Sequence, residues 1–200
     1  MKADSCGATL GWPGGFNQGK LFMNTQKPNS RLSFIVVLAA ITTLAPAVHA
    51  AEFSVVEASI PEMQAALRDG RVTSRELVTQ YLVRIAMYEN TLNTAISVNS
   101  KALEVADALD RERAAGQLRG PLHGIPIAIK DNIHTTDLPT TAGTLSLDGF
   151  IPPYEATLVE NLRASGAVII AKTVMTEMAH WMTMGIPQNY SALGGYAFNP

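Results

Sequence analysis

The stretch Gly120-Pro-Leu-His-Gly-Ile-Pro-Ile-Ala-Ile-Lys-Asp-Asn132 decides the fold of this 200-residue chain. Its first half is turn chemistry, because glycine and proline interrupt regular secondary structure. Its second half places isoleucine at every other position from Ile125 to Ile129, which predicts a short strand. That strand runs directly into Lys130, so the sequence predicts a lysine at the carboxyl end of a strand.

The segments that follow this strand predict how it pairs. Residues 156–165 have the spacing of a helix that turns Leu158, Val159 and Leu162 inward and ends at Gly166, and residues 167–171 form a continuous apolar run. A strand, a crossover helix and a fully apolar strand are typical of parallel pairing. We therefore predict an α/β fold with a mixed or parallel sheet and helices on both faces.

Two further segments complete this half of the chain. Residues 176–184 are predicted as another helix, whose methionines are interpreted as core rather than as a cofactor site. The remaining residues, 187–200, are predicted as loop. Residues 51–200 show no internal repeat and no linker.

Helices are predicted before the deciding stretch as well. Ser59 with Glu62 and Thr73 with Glu76 have the spacing of capping boxes, in which each side chain satisfies a backbone donor at a helix start. The first box predicts a short helix that ends at Gly70. The second begins an amphipathic helix over 74–88, and a third helix is predicted over 101–115. We interpret all three as packing elements with solvated charged faces.

The composition excludes several classes of function. The chain has 47% hydrophobic residues, enough for a core, and 15 basic against 17 acidic residues give a net charge of -2. That balance provides no broad positive field, so no nucleic-acid partner is predicted. A single cysteine, Cys6, cannot form an internal disulfide or a multi-cysteine zinc site. His123, His134 and His180 are not spaced as metal ligands on one helix, and no metal site is predicted.

The amino-terminal residues have the layout of a secretory signal peptide. Lys27 and Arg31 precede a 13-residue apolar run, 32–44, and small side chains end at Ala50. The run is shorter than the about 20 residues that span a bilayer, so no stable membrane anchor is expected. We predict cleavage after Ala50 and export of the product to the periplasm or the medium.

This interpretation divides the chain into a leader, 1–50, and an exported part, 51–200. The start of the leader is left open, because the stretch before Met23 is long and patternless for a signal peptide and translation could begin at Met23. The exported part contains no cysteine, which suits an oxidising compartment.

Lys130 is the candidate for chemistry. Ligands of open α/β sheets gather beyond the carboxyl ends of parallel strands, so Lys130 could act as a base or an electrostatic stabiliser; alternatively, it simply marks the strand end and reaches into water. A lysine that acts as a base at pH 7 needs a pKa about 3.4 units below the ordinary value of about 10.4, and burial can provide such a shift. Asp131 would oppose it, but successive strand residues point to opposite faces.

Other constellations carry less. Ser146 or Ser191 could be drawn into a triad with a histidine and an aspartate, but no Gly-x-Ser-x-Gly elbow is present. Gly194 and Gly195 lack the lysine and helix start of a phosphate-binding loop.

The deciding stretch resembles the amidase signature family. The resemblance covers residues 60 to 200 and keeps the order and approximate spacing of the family's motifs. Besides the deciding stretch, these are Thr73-Ser-Arg-Glu-Leu-Val, Thr140-Thr-Ala-Gly-Thr, Leu162-Arg-Ala-Ser-Gly-Ala-Val-Ile-Ile-Ala-Lys-Thr, Met175-Thr-Glu, Gly194-Gly and Asn199-Pro. The resemblance implies that residues 51–200 are the amino-terminal part of an amidase-signature α/β fold.

The resemblance also implies a reaction. The family hydrolyses amides with a serine nucleophile, a second serine in a cis peptide linkage, and a lysine that corresponds by motif to Lys130. It implies a small amide or peptide amide as substrate and no cofactor. Thr141 and Met184 are expected to contribute to the substrate pocket.

In the family, both serines lie in a Gly/Ser-rich segment that follows the Asn-Pro motif, and the sequence here ends at Pro200. We therefore expect these 200 residues to be a fragment of a longer enzyme and inactive alone, since the nucleophile would be missing.

Two alternatives stay open. The chain could be a non-catalytic relic or interaction protein that keeps only the front of the fold. It could also be a cytosolic protein similar to the A subunit of glutamyl-tRNA amidotransferase, although the export signal and the sequence Met175-Thr-Glu-Met-Ala-His argue against that branch. The oligomeric state is not predicted.

Overall fold

The structure is a computed structural model that describes residues 53–181 and 185–199. The predicted leader, its cleavage point after Ala50 and the predicted pocket residue Met184 lie outside the described residues. None of the helices in the described ranges combines the length and the apolar character needed to cross a membrane.

Four helices, five strands and two short 3-10 turns make up the described fold. The helices are α1 (Ile60–Arg68), α2 (Ser74–Leu92), α3 (Ala102–Ala114) and α4 (Thr157–Ala164). The strands are β1 (Ala95–Val98), β2 (Pro126–Lys130), β3 (Val168–Thr173), β4 (Tyr190–Ser191) and β5 (Gly195–Tyr196). The 3-10 turns are Leu145–Leu147 and Glu177–His180.

Both predicted capping boxes are present. The backbone N–H groups of Ser59 and Thr73 each donate to a glutamate carboxylate three residues later, at 2.8 Å in both cases, while the two hydroxyls accept from the glutamate N–H groups. These reciprocal bonds satisfy backbone donors that have no partner within the helix. The three helices predicted before the deciding stretch are confirmed, and α2 continues one turn further than expected, to a left-handed Asn93 with φ of 50°.

The larger sheet has three strands in the order β1-β3-β2. The β2 and β3 strands are parallel, as predicted, and Lys130 lies in register with Thr173. The antiparallel strand β1 was not predicted, because its four residues carry no alternation that separates a strand from a loop. It forms because β3 offers its free edge, and the sheet is consequently mixed.

The central strand β3 is covered on both faces. Val168 and Ile170 pack into a core with α2 and α3, whereas Ile169 packs into a separate core with Ile129 and Val159 of α4. Because successive strand residues point to opposite faces, this division follows directly from the apolar run. The prediction of helices on both faces is therefore confirmed.

One inward position in α4 was wrong. Val159 is fully buried and Leu162 partly so, but Leu158 is 53% exposed. A helix of two turns packs on the sheet through a narrow stripe, and Leu158 lies about 100° around the axis from Val159.

The prediction of a helix over 176–184 was also wrong in the described part. Residues 177–180 form only a 3-10 turn, and Met178, Ala179 and His180 have φ values of 48°, 53° and 64°, which an α-helix excludes. The N–H of Met178 instead donates to the carbonyl of Ala142, at 2.9 Å. A long-range contact therefore replaces the local helical bonding.

The predicted loop over 187–200 contains a small hairpin, in which β4 pairs with β5. Asn93 holds the hairpin to the end of α2, because its side-chain amide donates to the carbonyl of Tyr196 at 2.8 Å. The hairpin strands are only two residues long, too short for an alternation pattern to indicate them.

Two glycines that follow helix ends allow a matched stability test. Gly166, after α4, has φ of +87°, and an added Cβ would lie 2.6 Å from the Cα of His123; Gly116, after α3, has φ of +74° and open space around it. We expect Gly116→Ala to lower the free energy of unfolding by about 1 kcal/mol, the cost of a left-handed alanine. Gly166→Ala adds overpacking and should cost about 3 kcal/mol in total. Urea unfolding measures both; equal losses would contradict the packing seen at Gly166.

Candidate active site

Lys130 ends strand β2, and its side chain is exposed. Asp131, the next residue, is completely buried, so the two side chains lie on opposite sides of the strand end as the sequence predicted. The described residues therefore place the lysine where ligands of α/β sheets bind, but they do not provide the burial that a lysine base requires.

A buried carboxylate organises the inner side of this strand end. The Oδ2 atom of Asp131 accepts hydrogen bonds from the N–H groups of Thr141 and Gly143, at 3.1 and 3.4 Å, and from the hydroxyl of Thr141. Its Oδ1 atom has no hydrogen-bond partner in the described part of the chain. Asp131 thus fastens the loop over 139–144 to the end of β2 through one oxygen.

A buried lysine lies beside this carboxylate. Lys172 of β3 is 0% exposed, and its Nζ atom lies 3.7 Å from the Oδ1 atom of Asp131. The Nζ group donates instead to the carbonyl of Ile133 at 2.8 Å, the hydroxyl of Thr140 at 2.7 Å and the carbonyl of Pro139 at 3.3 Å. Burial lowers the pKa of Lys172, and the charge of Asp131 opposes that shift. All three ammonium donors therefore hold the segment over 133–140.

The proximity of Asp131 and Lys172 was not predicted from the sequence. Asp131 was predicted only to point away from Lys130, and Lys172 was not singled out as a candidate residue. The available signal was the parallel pairing itself, because it brings the carboxyl ends of β2 and β3 to the same edge of the sheet.

Thr141 is not free to contact a ligand through its hydroxyl hydrogen, which Asp131 accepts. Together with Ser97, Asp131 and Asp148 it lines a cavity of about 230 Å³. The structure thus brings Thr141 to Asp131, on the side of the strand end away from the exposed side chain of Lys130.

The histidines do not converge. Both ring nitrogens of His123 bond to the backbone: Nδ1 accepts from the N–H of Arg119 at 3.1 Å, and Nε2 lies 2.9 Å from the carbonyl of Leu109. Across the described ranges, no group of three or more histidine, cysteine, aspartate or glutamate side chains could hold a metal ion. Ser146 and Ser191 bond to nearby backbone and hydroxyl groups rather than to a histidine.

The chain is similar to proteins of one known family. Residues 76–191, more than half of the chain, match the Amidase family model. The A subunit of a glutamyl-tRNA(Gln) amidotransferase from Rhodopirellula baltica is 41% identical over 68% of the chain, and a probable amidase of Arabidopsis thaliana is 40% identical over 74%. The crystal structure of a peptide amidase from Stenotrophomonas maltophilia superposes with a TM-score of 0.70 at 42% identity, over 72% of the chain.

These matches cover only part of each relative. The chain spans 27% of the amidotransferase protein, 30% of the Arabidopsis protein and 30% of the peptide amidase. The matched residues 76–191 include the strand end with Lys130, the loop fastened by Asp131 and the buried Lys172. The chain belongs to the amidase family.

Proposed function

We propose that this chain is the amino-terminal part of an exported amidase that hydrolyses small amides or peptide amides, with Lys130 as its proton acceptor. The observation that carries the proposal is the position of Lys130 at the carboxyl end of β2, inside the segment that matches the Amidase family. The 42% identity with a peptide amidase favours amidated peptides among the substrates.

The proposed reaction proceeds by a proton relay. The neutral amine of Lys130 takes a proton from a bridging serine, which takes one from the nucleophilic serine as that oxygen attacks the amide carbonyl. The C–N bond breaks, the leaving amine departs with a proton from the relay, and an acyl ester remains. Water then attacks the ester through the same relay and releases the acid. Both serines would lie in a Gly/Ser-rich segment beyond the Asn199-Pro motif.

The exposure of Lys130 makes a demand on this mechanism. The proposed relay needs a neutral amine, and burial is what favours the neutral form of a lysine, so the mechanism requires another part of the polypeptide to cover Lys130. The described residues leave several large apolar side chains exposed between residues 145 and 158, and a contiguous exposed apolar patch is typical of an interaction surface. These side chains are Leu145, Phe150, Ile151, Tyr154 and Leu158. We propose that the downstream segment covers this surface and the lysine together.

A second function has comparable support from identity alone. The chain is 41% identical to the A subunit of an amidotransferase and 40% identical to a probable amidase, so sequence identity does not choose between transamidation and hydrolysis. The predicted export signal favours the hydrolase. A subunit similar to that of the glutamyl-tRNA amidotransferase would require partner subunits and ATP, and activity that depends on them would replace our proposal. A non-catalytic relic would show neither activity.

We expect the 200-residue chain alone not to hydrolyse a peptide amide, and a polypeptide that continues through a Gly/Ser-rich segment to do so. In the longer protein, Lys130→Ala should lower kcat/KM by about 10² to 10⁴-fold, the range of a lost general base. Release of ammonia measures the rate, and Lys101→Ala, at an exposed lysine, is the control. Serine-dependent turnover by the short chain, or full activity of Lys130→Ala, would refute the proposal.

The proposed export has a separate test. Expression with the native leader should give a mature protein that begins at Ala51, and Ala50→Trp should block processing because signal peptidase needs a small residue there. Amino-terminal sequencing of the exported fraction identifies the first residue. A product that keeps its leader and stays in the cytoplasm would show that the leader was misinterpreted.

A further inference from the structure

We propose that Asp131 and Lys172 are positioning residues, which fix Lys130 relative to the hairpin of β4 and β5. The reaction served by this geometry rests on the proposed function, but the positioning itself is a property of the fold. Neither side chain is exposed, so neither contacts a substrate in this arrangement.

Lys172 directs its hydrogen-bond donors to the loop after β2 rather than to the carboxylate of Asp131. A buried ammonium next to a carboxylate usually forms a direct ion pair with hydrogen bonds, yet here Nζ stays 3.7 Å from Oδ1 of Asp131. Its three donors go to Ile133, Pro139 and Thr140, all in the segment that follows Lys130. The carboxylate oxygen is left without a hydrogen bond, although such an omission destabilises a fold. The arrangement favours the loop geometry over the strength of the ion pair.

Hydrogen bonds also hold the backbone of Asp131, the residue next to Lys130. The N–H of Asp131 donates to the carbonyl of Thr173 at 3.2 Å, and the carbonyl of Asp131 accepts from the N–H of Ala142 at 3.2 Å. The side chain adds the bonds to Thr141 and Gly143. Residue 131 is therefore held on three sides, and this restricts the direction in which the Cα–Cβ bond of Lys130 points.

The loop that Asp131 holds also contacts the hairpin of β4 and β5 through Gly143. Gly143 has φ of +76°, and an added Cβ would lie 2.6 Å from the Cβ of the fully buried Ser191. The carbonyl of Gly143 accepts from the N–H of Leu193 at 3.0 Å. The hairpin immediately precedes the Asn199-Pro motif, after which the proposed function places the serines. Gly143 therefore links Asp131 to the hairpin, and the hairpin leads toward the position of those serines.

The experiment replaces the pair by apolar residues in the 200-residue chain. Apolar replacement of both members of a buried pair often preserves stability, so Lys172→Met with Asp131→Leu separates positioning from stability. We expect the double variant to stay folded in a urea titration, while amide hydrogen exchange at Gly143 and Leu193 accelerates at least tenfold. Amides in the middle of α2 should exchange at the original rate. The exposed pair Arg75 and Asp107, changed to Met and Leu, is the matched control and should alter none of these amides.

Unchanged exchange at Gly143 and Leu193 in a stable double variant would overturn the proposal, because the pair would then serve only stability. If the double variant does not fold, Thr140→Val removes one acceptor of Lys172 and leaves both charges in place. It should accelerate exchange at the same two amides, whereas Thr136→Val, at an exposed threonine, should not. Unchanged exchange in Thr140→Val would equally contradict the role of Lys172.

Activity provides a readout that stability does not move. In a longer, active polypeptide, the double variant should lower kcat at least tenfold with KM within twofold, because a misplaced group slows the chemical step more than binding. An unaltered kcat would overturn the positioning role in the reaction. If Lys130→Ala is fully active, the proposed function fails instead, and the exchange measurements still decide whether the pair positions the loop.

Discussion

The buried ammonium of Lys172 is the constraint on which the conformation of the loop after β2 most depends. Taking an ammonium out of water costs several kcal/mol, and only well-placed oxygens and an opposite charge offset that cost. The oxygens come from Ile133, Pro139 and Thr140, and the charge from Asp131. The loop after β2 therefore has to adopt the conformation that presents them. A medium-sized apolar residue at position 172 would impose no comparable requirement.

Strand β3 combines this polar constraint with the apolar core. Val168 and Ile170 pack into a core with α2 and α3, Ile169 packs into a core with α4, and the two edges of the strand bond to β1 and β2. The ammonium lies near the carboxyl end of the same strand. Hydrophobic packing thus sets the position of β3, and β3 in turn sets the position of the charged pair. The distance between the two charged side chains at the strand end therefore depends on how closely the core packs.

Local signals explain which elements the sequence could predict. Capping boxes, helical spacing and apolar runs act over a few residues, and they correctly indicated α1 to α4, β2 and β3. The elements that were missed depend on partners distant in the chain. Strand β1 exists because β3 has a free edge, and the turn at Glu177–His180 bonds to Ala142 instead of continuing as a helix. Neither contact leaves a trace in local periodicity.

The candidate site divides in the same way. Lys130 could be located from the strand that precedes it and from a motif, whereas no local pattern indicates that Asp131 and Lys172 lie together. Only parallel pairing, with the two strand ends at one edge, shows that these charges meet. The described residues accordingly position Lys130 without burying it. If the chain acts as proposed, the position of the lysine and its desolvation come from different parts of the polypeptide, so that the site is complete only when those parts are assembled.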